Sequence, residues 1–363
     1  MELQMTKSDS KKIPVGIIGL GRIASLLEDD CLREKPCTHA GAVSANPQCE
    51  LLCGCDIDSK RRALFKNKWN VPVYASADTM LDEHPLSLLI IATHPDSHRH
   101  YCELALQYDV PVVICEKPLA ATLKDAAKIA LLARAGNTKI IVNHERRYSA
   151  NYQQIKSYIE SGKSGVLCSV RAALYMGRGR RLLDVLWHDG THLADTIMFL
   201  SGRIMNHKKR FGAKLKAREG TAFLSGYLRY KKEQLIAQSI AGLELEDFSP
   251  AEYKKFKTKI PFVIELGAEH ESLVFEIELN FSEGRIRIGN GIYEIWHSGP
   301  SPYAEGFNSL EKTADTGPDK TDYFTNMLSD AVECFRNKEQ APVSSAEDAL
   351  AVIKYLNRIK KWK

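Results

Sequence analysis

In its first 145 residues the chain alternates short apolar runs with segments in which apolar residues recur at helical spacing. Such runs predict strands that are buried on both faces, and helices between them favour a mostly parallel sheet. We therefore expect an α/β domain with a doubly wound parallel sheet at residues 13–145. The predicted strands are Ile13–Ile18, Leu51–Cys55, Val71–Tyr74, Leu86–Ala92, Val110–Cys115 and Lys139–Asn143.

From about residue 146 the pattern changes to stretches in which apolar and polar residues alternate. Alternation is typical of antiparallel strands with one face on a core and the other in water. We expect a C-terminal α+β domain with a large, mostly antiparallel sheet at residues 146–321, helices at 322–363 and a disordered polar leader at 1–12. The predicted strands are Val166–Tyr175, Thr221–Tyr230, Leu235–Ile240, Pro261–Glu265, Leu273–Leu279 and Arg285–Trp296.

A glycine-rich motif follows the first predicted strand, with the sequence Gly19-Leu20-Gly21-Arg22-Ile23-Ala24. The first glycine permits a tight turn, the second lets the backbone approach a pyrophosphate, and the small third residue lets helix and strand pack closely. We expect a helix to start at Ile23–Leu27, with its first N–H groups facing the phosphates. An insertion at Glu28–Thr38 interrupts that helix. The motif predicts a dinucleotide site.

Asp56 follows the second predicted strand, where a carboxylate accepts hydrogen bonds from a ribose 2′-hydroxyl and repels a 2′-phosphate. NAD is therefore favoured as the cofactor. Arg61 and Arg62 leave NADP open, and a plain turn residue is the structural alternative for Asp56. The spacing between Gly19 and Asp56 is longer than the roughly twenty residues that are usual between such a glycine turn and its acidic residue, and the insertion accounts for most of the excess.

Lys117 lies between Glu116 and Pro118, directly after an apolar run that reads as a parallel strand. Open α/β sheets bind ligands at the carboxyl ends of their strands, so this lysine is a catalytic candidate. Its charge would stabilise the oxygen of a carbinol or carbonyl during hydride transfer. A solvated lysine in a turn is the alternative.

A second constellation is His188-Asp189-Gly190-Thr191-His192, which runs into a helical pattern. Histidines four residues apart share one face of a continuous helix, and histidine titrates near neutral pH, as proton transfer requires. His188, Asp189 and His192 are therefore catalytic candidates. A zinc site is the rival interpretation, but the glutamate of an HExxH motif is missing, and we expect no metal. A structural histidine pair also remains open.

Composition narrows the classes of partner. The formal net charge of +5 is small, and the most basic stretch, Arg203–Arg218, lacks the regular aromatic spacing of a base-stacking surface. Residues 1–12 are polar and mixed in charge, without the apolar core that a signal peptide needs, and the sequence has no run of about eighteen apolar residues. The nine cysteines include no CxxC pair, which favours reduced thiols. We expect a cytoplasmic protein that binds neither nucleic acid nor membrane.

Five short segments of the chain, taken in order, resemble motifs of the Gfo/Idh/MocA family, which is named for glucose-fructose oxidoreductase and inositol dehydrogenase. The resemblance spans nearly the whole chain. It implies a Rossmann domain, then a domain with an open-faced sheet that often forms an oligomer interface, and a last helix that packs back on the first domain. A homo-oligomer, dimer or tetramer, is therefore expected. The matching segments are Gly19–Ala24, Ile91–His98, Glu116–Ala120, Arg147-Tyr148 and Gly190-x-His192-x-x-Asp195.

The resemblance also assigns roles to individual residues. It implies that Lys117 and His192 flank the substrate carbinol beside the nicotinamide, with His192 as the proton carrier. Family members commonly have an aspartate where this chain has His188, and the carboxylate appears one residue later, at Asp189. The substrate contacts are therefore expected to differ from the family's usual geometry. The residues expected to line the cofactor are Thr93, His94, His98 and Glu116, and those expected on the substrate side are Arg147, Tyr148 and His188.

The leading hypothesis is an NAD(P)-dependent dehydrogenase acting on a secondary hydroxyl of a sugar, cyclitol or related polyol. Glycoside hydrolysis through transient oxidation by bound NAD is one alternative, and a non-catalytic NAD-binding regulator is another. Arg178, Arg180 and Arg181 would meet an anionic group of the substrate, or equally form a solvated loop. The identity of the substrate is not encoded in any motif.

Overall fold

The computed structural model describes residues 12–177, 179–230 and 259–361. Three sequence-based expectations lie outside those ranges: nearly all of the leader, Arg178 and the strand at Leu235–Ile240. The chain divides into two compact units. The first comprises Met1–Tyr148 and Asp322–Glu347, and the second comprises Ser149–Thr321 and Asp348–Lys363.

The first unit is built on a six-stranded sheet in which all neighbouring strands are parallel. The spatial order β3-β2-β1-β4-β5-β6 reverses beside β1, which confirms the predicted doubly wound topology. In such sheets a crevice opens at the carboxyl ends of the strands where the order reverses. The strands are β1 (Ile13–Ile18), β2 (Cys49–Cys55), β3 (Val73–Tyr74), β4 (Leu88–Ile91), β5 (Val112–Cys115) and β6 (Lys139–Val142).

Side-chain caps decide where several helices of this unit begin. Thr38, Asp58, Ser76 and Thr122 each accept a hydrogen bond from a backbone N–H in the first turn of the helix that follows. The helices are α1 (His39–Ala45), α2 (Ser59–Trp69), α3 (Ala77–Glu83), α4 (His98–Gln107), α5 (Leu123–Ala135) and α9 (Tyr323–Arg336).

The helix expected at Ile23–Leu27 is wrong. The N–H of Leu27 donates to the Arg22 carbonyl at 3.0 Å, a spacing too wide for an α-helix, and a short 3₁₀ helix follows at Leu26–Asp29. The insertion explains the change. The Glu28 carboxylate accepts from the Cys37 N–H at 3.1 Å and from the Thr38 hydroxyl at 2.6 Å, which closes the insertion as a loop. The crossover helix therefore begins only after Thr38.

The second unit contains an eight-stranded sheet in the order β14-β13-β12-β11-β7-β10-β9-β8, antiparallel except between β7 and β10. One face packs on helices, and the other keeps alternate residues at least partly exposed. The predicted mostly antiparallel sheet is confirmed. Its elements are α6 (Ala150–Glu160), β7 (Leu167–Tyr175), α7 (Leu182–His188), α8 (Gly190–Ser201), β8 (Ile204–Gly212), β9 (Gly220–Arg229), β10 (Ile260–Ala268), β11 (Val274–Phe281), β12 (Gly284–Gly289), β13 (Ile292–Pro300), β14 (Asn308–Ala314) and α10 (Ala346–Lys361).

The two C-terminal helices divide between the units. Phe324 and Met327 of α9 are buried in the core of the first unit. Val352, Tyr355 and Leu356 of α10 are instead buried in the core of the second unit. Most of α10 therefore belongs to the second unit, and the expectation that the last helix packs back on the first domain stays a prediction. None of the described helices is long and apolar enough to cross a membrane.

Candidate functional site

Polar and glycine residues of the first unit gather at the carboxyl edge of its sheet. Gly19 follows β1, Asp56 follows β2, Thr93 lies beyond β4, Glu116 follows β5 and Asn143 follows β6. Because all these strands are parallel, their carboxyl ends meet at one edge. The sequence-predicted residues of the nucleotide site are thus collected by the fold itself.

The two glycines of the turn are required for different reasons. Gly19 has a φ of +88°, and a Cβ there would lie 2.6 Å from the Ala92 carbonyl oxygen, so only glycine fits. A Cβ on Gly21 would meet only one atom within 4 Å, Nη1 of Arg61 at 3.8 Å. The fold therefore leaves open space at Gly21, where a pyrophosphate would approach the backbone.

Backbone donors surround that space. The Leu20 N–H donates to Asp56 Oδ2 at 2.8 Å. Within the described ranges no backbone carbonyl accepts from the N–H groups of the next four residues, Gly21–Ala24. Unpaired N–H groups in a glycine-rich turn form an anion-binding concavity. The donors and the space fit the diphosphate of a dinucleotide, although no regular helix begins at the turn.

Asp56 is buried and holds the turn as well as facing the site. Its Oδ2 accepts from the Leu20 N–H and its Oδ1 from the Asp58 N–H at 2.9 Å. Asp56 is therefore at least in part a turn residue, the alternative that the sequence left open. Arg62 Nη1 donates to the carbonyl oxygens of Asp56 and Ile57, which commits that side chain to the turn. Arg61 is half-exposed, with Nη1 3.7 Å from Asp56 Oδ2.

Glu116 is the best-connected polar group beside the candidate lysine. Its Oε1 accepts from Asn143 Nδ2 at 2.6 Å and lies 2.7 Å from His39 Nε2, and its Oε2 accepts from the Lys117 N–H at 3.3 Å. Burial alone would raise the pKa of Glu116, but the hydrogen bonds from His39 and Asn143 and the nearby charges outweigh it and lower the pKa below its ordinary value. Glu116 is therefore a buried carboxylate.

Three residues expected to line the cofactor occupy different environments. Thr93 accepts from the Ser97 hydroxyl at 2.7 Å, and His94 is largely exposed and paired with Asp96 at 3.0 Å. His98 is fully buried, with its ring nitrogens 3.1 Å from the Thr93 carbonyl oxygen and 3.2 Å from that of Leu119. Burial lowers the pKa of His98. His98 therefore braces two loops of the site, and its contact with a cofactor stays a prediction.

In the second unit, His188 and His192 belong to consecutive helices. His188 ends α7, Asp189 joins the two helices, and His192 lies in the first turn of α8. The expectation that both histidines share one face of a continuous helix is therefore wrong. His188 is exposed and His192 is half-buried. The His192 N–H donates to the Asp189 carbonyl at 3.1 Å, so the junction sets the position of His192.

The arginines before α7 are paired with carboxylates. Arg180 Nη1 lies 2.6 Å from Asp189 Oδ2, and Arg181 Nε lies 2.7 Å from Asp184 Oδ2. Both arginine side chains are about half exposed, and their contact with an anionic group of a substrate stays a prediction. Within the described ranges no group of three or more His, Cys, Asp or Glu side chains could hold a metal ion.

Comparison with known proteins adds independent information. Residues 13–144 match the family model described as oxidoreductase family, NAD-binding Rossmann fold. D-apiose dehydrogenase of Paraburkholderia graminis is 32% identical over 168 residues, which are 43% of this chain and 44% of that protein. Inositol 2-dehydrogenase of Salmonella typhimurium is 27% identical over 156 residues, 42% of this chain and 43% of that protein. The chain spans about half the length of the curated relatives it matches.

Solved structures match both units. An oxidoreductase from Agrobacterium radiobacter in complex with NAD+, L-tartaric acid and magnesium has a TM-score of 0.67 at 17% identity, covering 95% of this chain and 94% of that one. The WlbA dehydrogenase from Bordetella pertussis, in complex with NADH and UDP-GlcNAcA, has a TM-score of 0.69 at 16% identity, covering 97% and 95%. At these identities the likeness concerns the fold. Over residues 13–144 the chain is similar to the NAD-binding domain of the Gfo/Idh/MocA oxidoreductases.

Two residues that the Gfo/Idh/MocA resemblance placed on the substrate side are structural in this chain. The Tyr148 side chain is 2% exposed, and its hydroxyl donates to Asp330 Oδ2 of α9 at 2.8 Å. The buried Arg147 donates from Nη1 to the Val343 carbonyl at 2.9 Å. Both side chains therefore tie the end of the Rossmann sheet to the C-terminal segment of the same unit, and the substrate-side role expected of them stays a prediction.

Sequence reasoning missed His39 and Asn143, the two side chains that hold Glu116. Asn143 ends the predicted sixth strand, and the carboxyl-edge rule alone could have singled it out. His39 gave no such signal, because it lies beyond the insertion in a segment that read as the resumed crossover helix. Only the tertiary packing of the unit brings His39 to Glu116, with Nε2 2.7 Å from Oε1.

Proposed function

We propose that this chain is a member of the Gfo/Idh/MocA family and an NAD(P)-dependent oxidoreductase that transfers a hydride between the nicotinamide and a secondary hydroxyl of a sugar, cyclitol or related polyol. One observation carries the proposal: an open glycine turn and a lysine loop follow β1 and β5 at one edge of one parallel sheet. The relatives named D-apiose dehydrogenase and inositol 2-dehydrogenase support this substrate class.

In this proposal Lys117 supplies positive charge beside the reacting oxygen. Hydride removal from a carbinol turns its oxygen into a carbonyl, and in the reverse direction charge builds up on that oxygen. Lys117 is half-buried, and its backbone N–H donates to the fixed carboxylate of Glu116. Anchoring the main chain at the neighbouring residue restricts where the ammonium can reach, which favours a defined orientation toward substrate.

His192 would carry the hydroxyl proton. Histidine exchanges protons near neutral pH, and a general base of this kind contributes roughly a hundred- to ten-thousand-fold in rate. Asp189 and Arg180 hold the junction before His192 by their ion pair, so we assign both to positioning. His188 is exposed at the end of α7 and is assigned to substrate contact. Lys117 belongs to the first unit and His192 to the second.

The test is reduction of NAD and NADP by the purified protein across a panel of sugars and cyclitols. Lys117→Met and His192→Asn should each lower kcat by about a hundred-fold or more while the dissociation constant for NADH stays within about three-fold. Lys124→Met, at an exposed position of α5, is the matched control. Normal turnover by either site variant, or loss of turnover in the control, would contradict the assigned roles.

Two further parts of the proposal concern assembly and compartment. We propose that the open face of the eight-stranded sheet forms a homo-oligomer, because Phe211 and Phe223 stack there at 5.2 Å and Val263 is 41% exposed. We also propose a cytoplasmic location. All nine cysteines are free, seven of them buried, which suits a reducing compartment.

A further inference from the structure

A histidine outside every recognised motif lies at the centre of the Rossmann unit. His39 is 1% exposed, and its Nε2 is 2.7 Å from Glu116 Oε1. The ring also packs edge-on against Phe324, with the ring centres 5.1 Å apart. A buried histidine held by a carboxylate on one side and an aromatic ring on the other has a single orientation.

The main chain of the same residue contacts the glycine turn. The His39 N–H donates to the Ile23 carbonyl at 3.2 Å, and the N–H of the next residue, Ala40, donates to the Ala24 carbonyl at 2.9 Å. The start of α1 is fixed independently by Thr38, whose hydroxyl donates to Glu28 and accepts from the Gly41 N–H. His39 is thus fixed to the phosphate-binding turn by its backbone and to Glu116 by its side chain.

Glu116 in turn fixes the residue that follows it. Its Oε2 accepts from the Lys117 N–H, while Asn143 Nδ2 shares Oε1 with His39. Removing the His39 hydrogen bond would leave a buried carboxylate with one side-chain donor fewer, and such a group relaxes toward other donors. The backbone of Lys117 would move with it.

We propose that His39 is a positioning residue: it holds the Glu116 side chain in place and so sets the orientation of Lys117 relative to the glycine turn. The proposal rests on the proposed function for its kinetic consequence. The structural consequence, a defined environment of the Lys117 side chain, is independent of the proposed function.

The experiment compares two substitutions of this histidine. His39→Phe keeps a ring against Phe324 but has no donor, whereas His39→Gln keeps an N–H donor. In His39→Phe we expect kcat to fall about ten-fold or more, with the dissociation constant for NADH within about two-fold of wild type. In His39→Gln we expect kcat to recover to within about three-fold of wild type. A histidine that served only folding would not separate kcat from cofactor affinity in this way.

A double-mutant cycle tests the route through Glu116. Glu116→Gln removes the carboxylate charge, so adding His39→Phe to it should cost about two-fold or less. If the double variant instead loses kcat by the product of the two single losses, His39 acts independently of Glu116 and the proposal is overturned. His84→Gln is the matched control, because His84 also combines a ring contact and a 2.8 Å hydrogen bond, to Tyr74, within the same unit.

A second readout does not need turnover. The rate at which acetic anhydride labels Lys117, followed by mass spectrometry, reports the exposure and environment of the ammonium. We expect His39→Phe and Glu116→Gln each to change this rate about three-fold or more, with Lys124 as the internal reference. If wild type reduces neither cofactor with any polyol but the labelling changes as expected, the proposed function fails and the positioning role stands. Unchanged labelling of Lys117 in both variants would overturn the positioning role. If His39→Phe fails to fold, the labelling rate of Lys117 in Glu116→Gln decides, and an unchanged rate there would also overturn the role.

Discussion

Gly19 and Gly21 lie in one turn, yet the fold requires only the first of them. Gly19 combines a positive φ with a close approach to the Ala92 carbonyl, so any side chain there is strained. Gly21 has neither constraint, and the space beside it is open. A glycine that the folded chain does not need is best explained by a ligand that comes close to the backbone.

Alanine substitutions should separate these two requirements. Gly19→Ala should lower the free energy of unfolding by about 2 kcal/mol or more, because the residue adopts a strained conformation and meets a backbone oxygen. Gly21→Ala should unfold like wild type but bind NADH about ten-fold more weakly, because the methyl group occupies the space of a phosphate. Urea unfolding and fluorescence titration measure the two effects. Wild-type NADH affinity in Gly21→Ala would remove the case for a diphosphate at this turn.

The side chains of Asp56 and Arg61 should decide between NAD and NADP. The Asp56 carboxylate opposes a 2′-phosphate, and Arg61 is the guanidinium beside it that is not committed to the turn. Asp56→Asn should improve NADP affinity by about ten-fold or more, since it removes a like charge. Adding Arg61→Ala should reverse most of that gain while NAD affinity changes little. Tighter binding of NADP than NAD by the wild type would contradict the assignment of Asp56.

At the scale of elements, periodicity predicted the buried strands well and the interrupted or polar elements badly. Arg285–Trp296 read as one strand but forms β12 and β13, which turn at Gly291 with a φ of +71°. β8 was missed because its outer half, Lys208–Arg210, is basic and hides the alternation. The His188–His192 pair was misjudged because the spacing of residues cannot show that a helix ends at His188 and another begins at Gly190.

The tie between the segment before α6 and helix α9 should be sensitive to pH. Burial raises the pKa of Asp330 above its ordinary value, and the hydrogen bonds from Tyr148 and the Val343 N–H only partly offset this effect. A carboxyl whose pKa is raised in the folded state stabilises the fold when protonated. That contribution is complete below the unfolded pKa and is lost as the pH rises through the folded pKa.

Asp330→Asn removes this titration while keeping an acceptor for the Tyr148 hydroxyl. The stability of wild type minus that of Asp330→Asn should therefore be largest near pH 4 and should fall as the pH rises toward 7. Urea unfolding at a series of pH values measures this difference directly. A difference that stayed constant, or that grew with rising pH, would contradict the burial-dominated environment of Asp330.

At the scale of the whole molecule, the open face of the second unit should control assembly. Val263 points outward from β10 and is paired in register with Arg171 of β7. Val263→Glu should therefore be tolerated within the sheet, because the new carboxylate lies beside an arginine, but it should weaken a subunit interface by burying a charge. Sedimentation velocity should show a smaller species than wild type, with an unchanged circular dichroism spectrum.

Leu131→Glu provides the matched control, since Leu131 is 56% exposed on α5 of the other unit. This variant should sediment like wild type. A wild type that is already monomeric at micromolar concentration would contradict the proposed oligomer, and so would a Val263→Glu variant of unchanged mass.

The sequence alone determined the fold class and the position of the glycine-rich turn, because these depend on local periodicity and on short motifs of neighbouring residues. Tertiary structure decided the partners of each side chain. His39 reaches Glu116 from 77 positions away, Tyr148 bonds to Asp330 across 182, and most of α10 packs in the second unit. Such pairings depend on how elements pack in three dimensions, and neither spacing nor propensity along the chain carries that information.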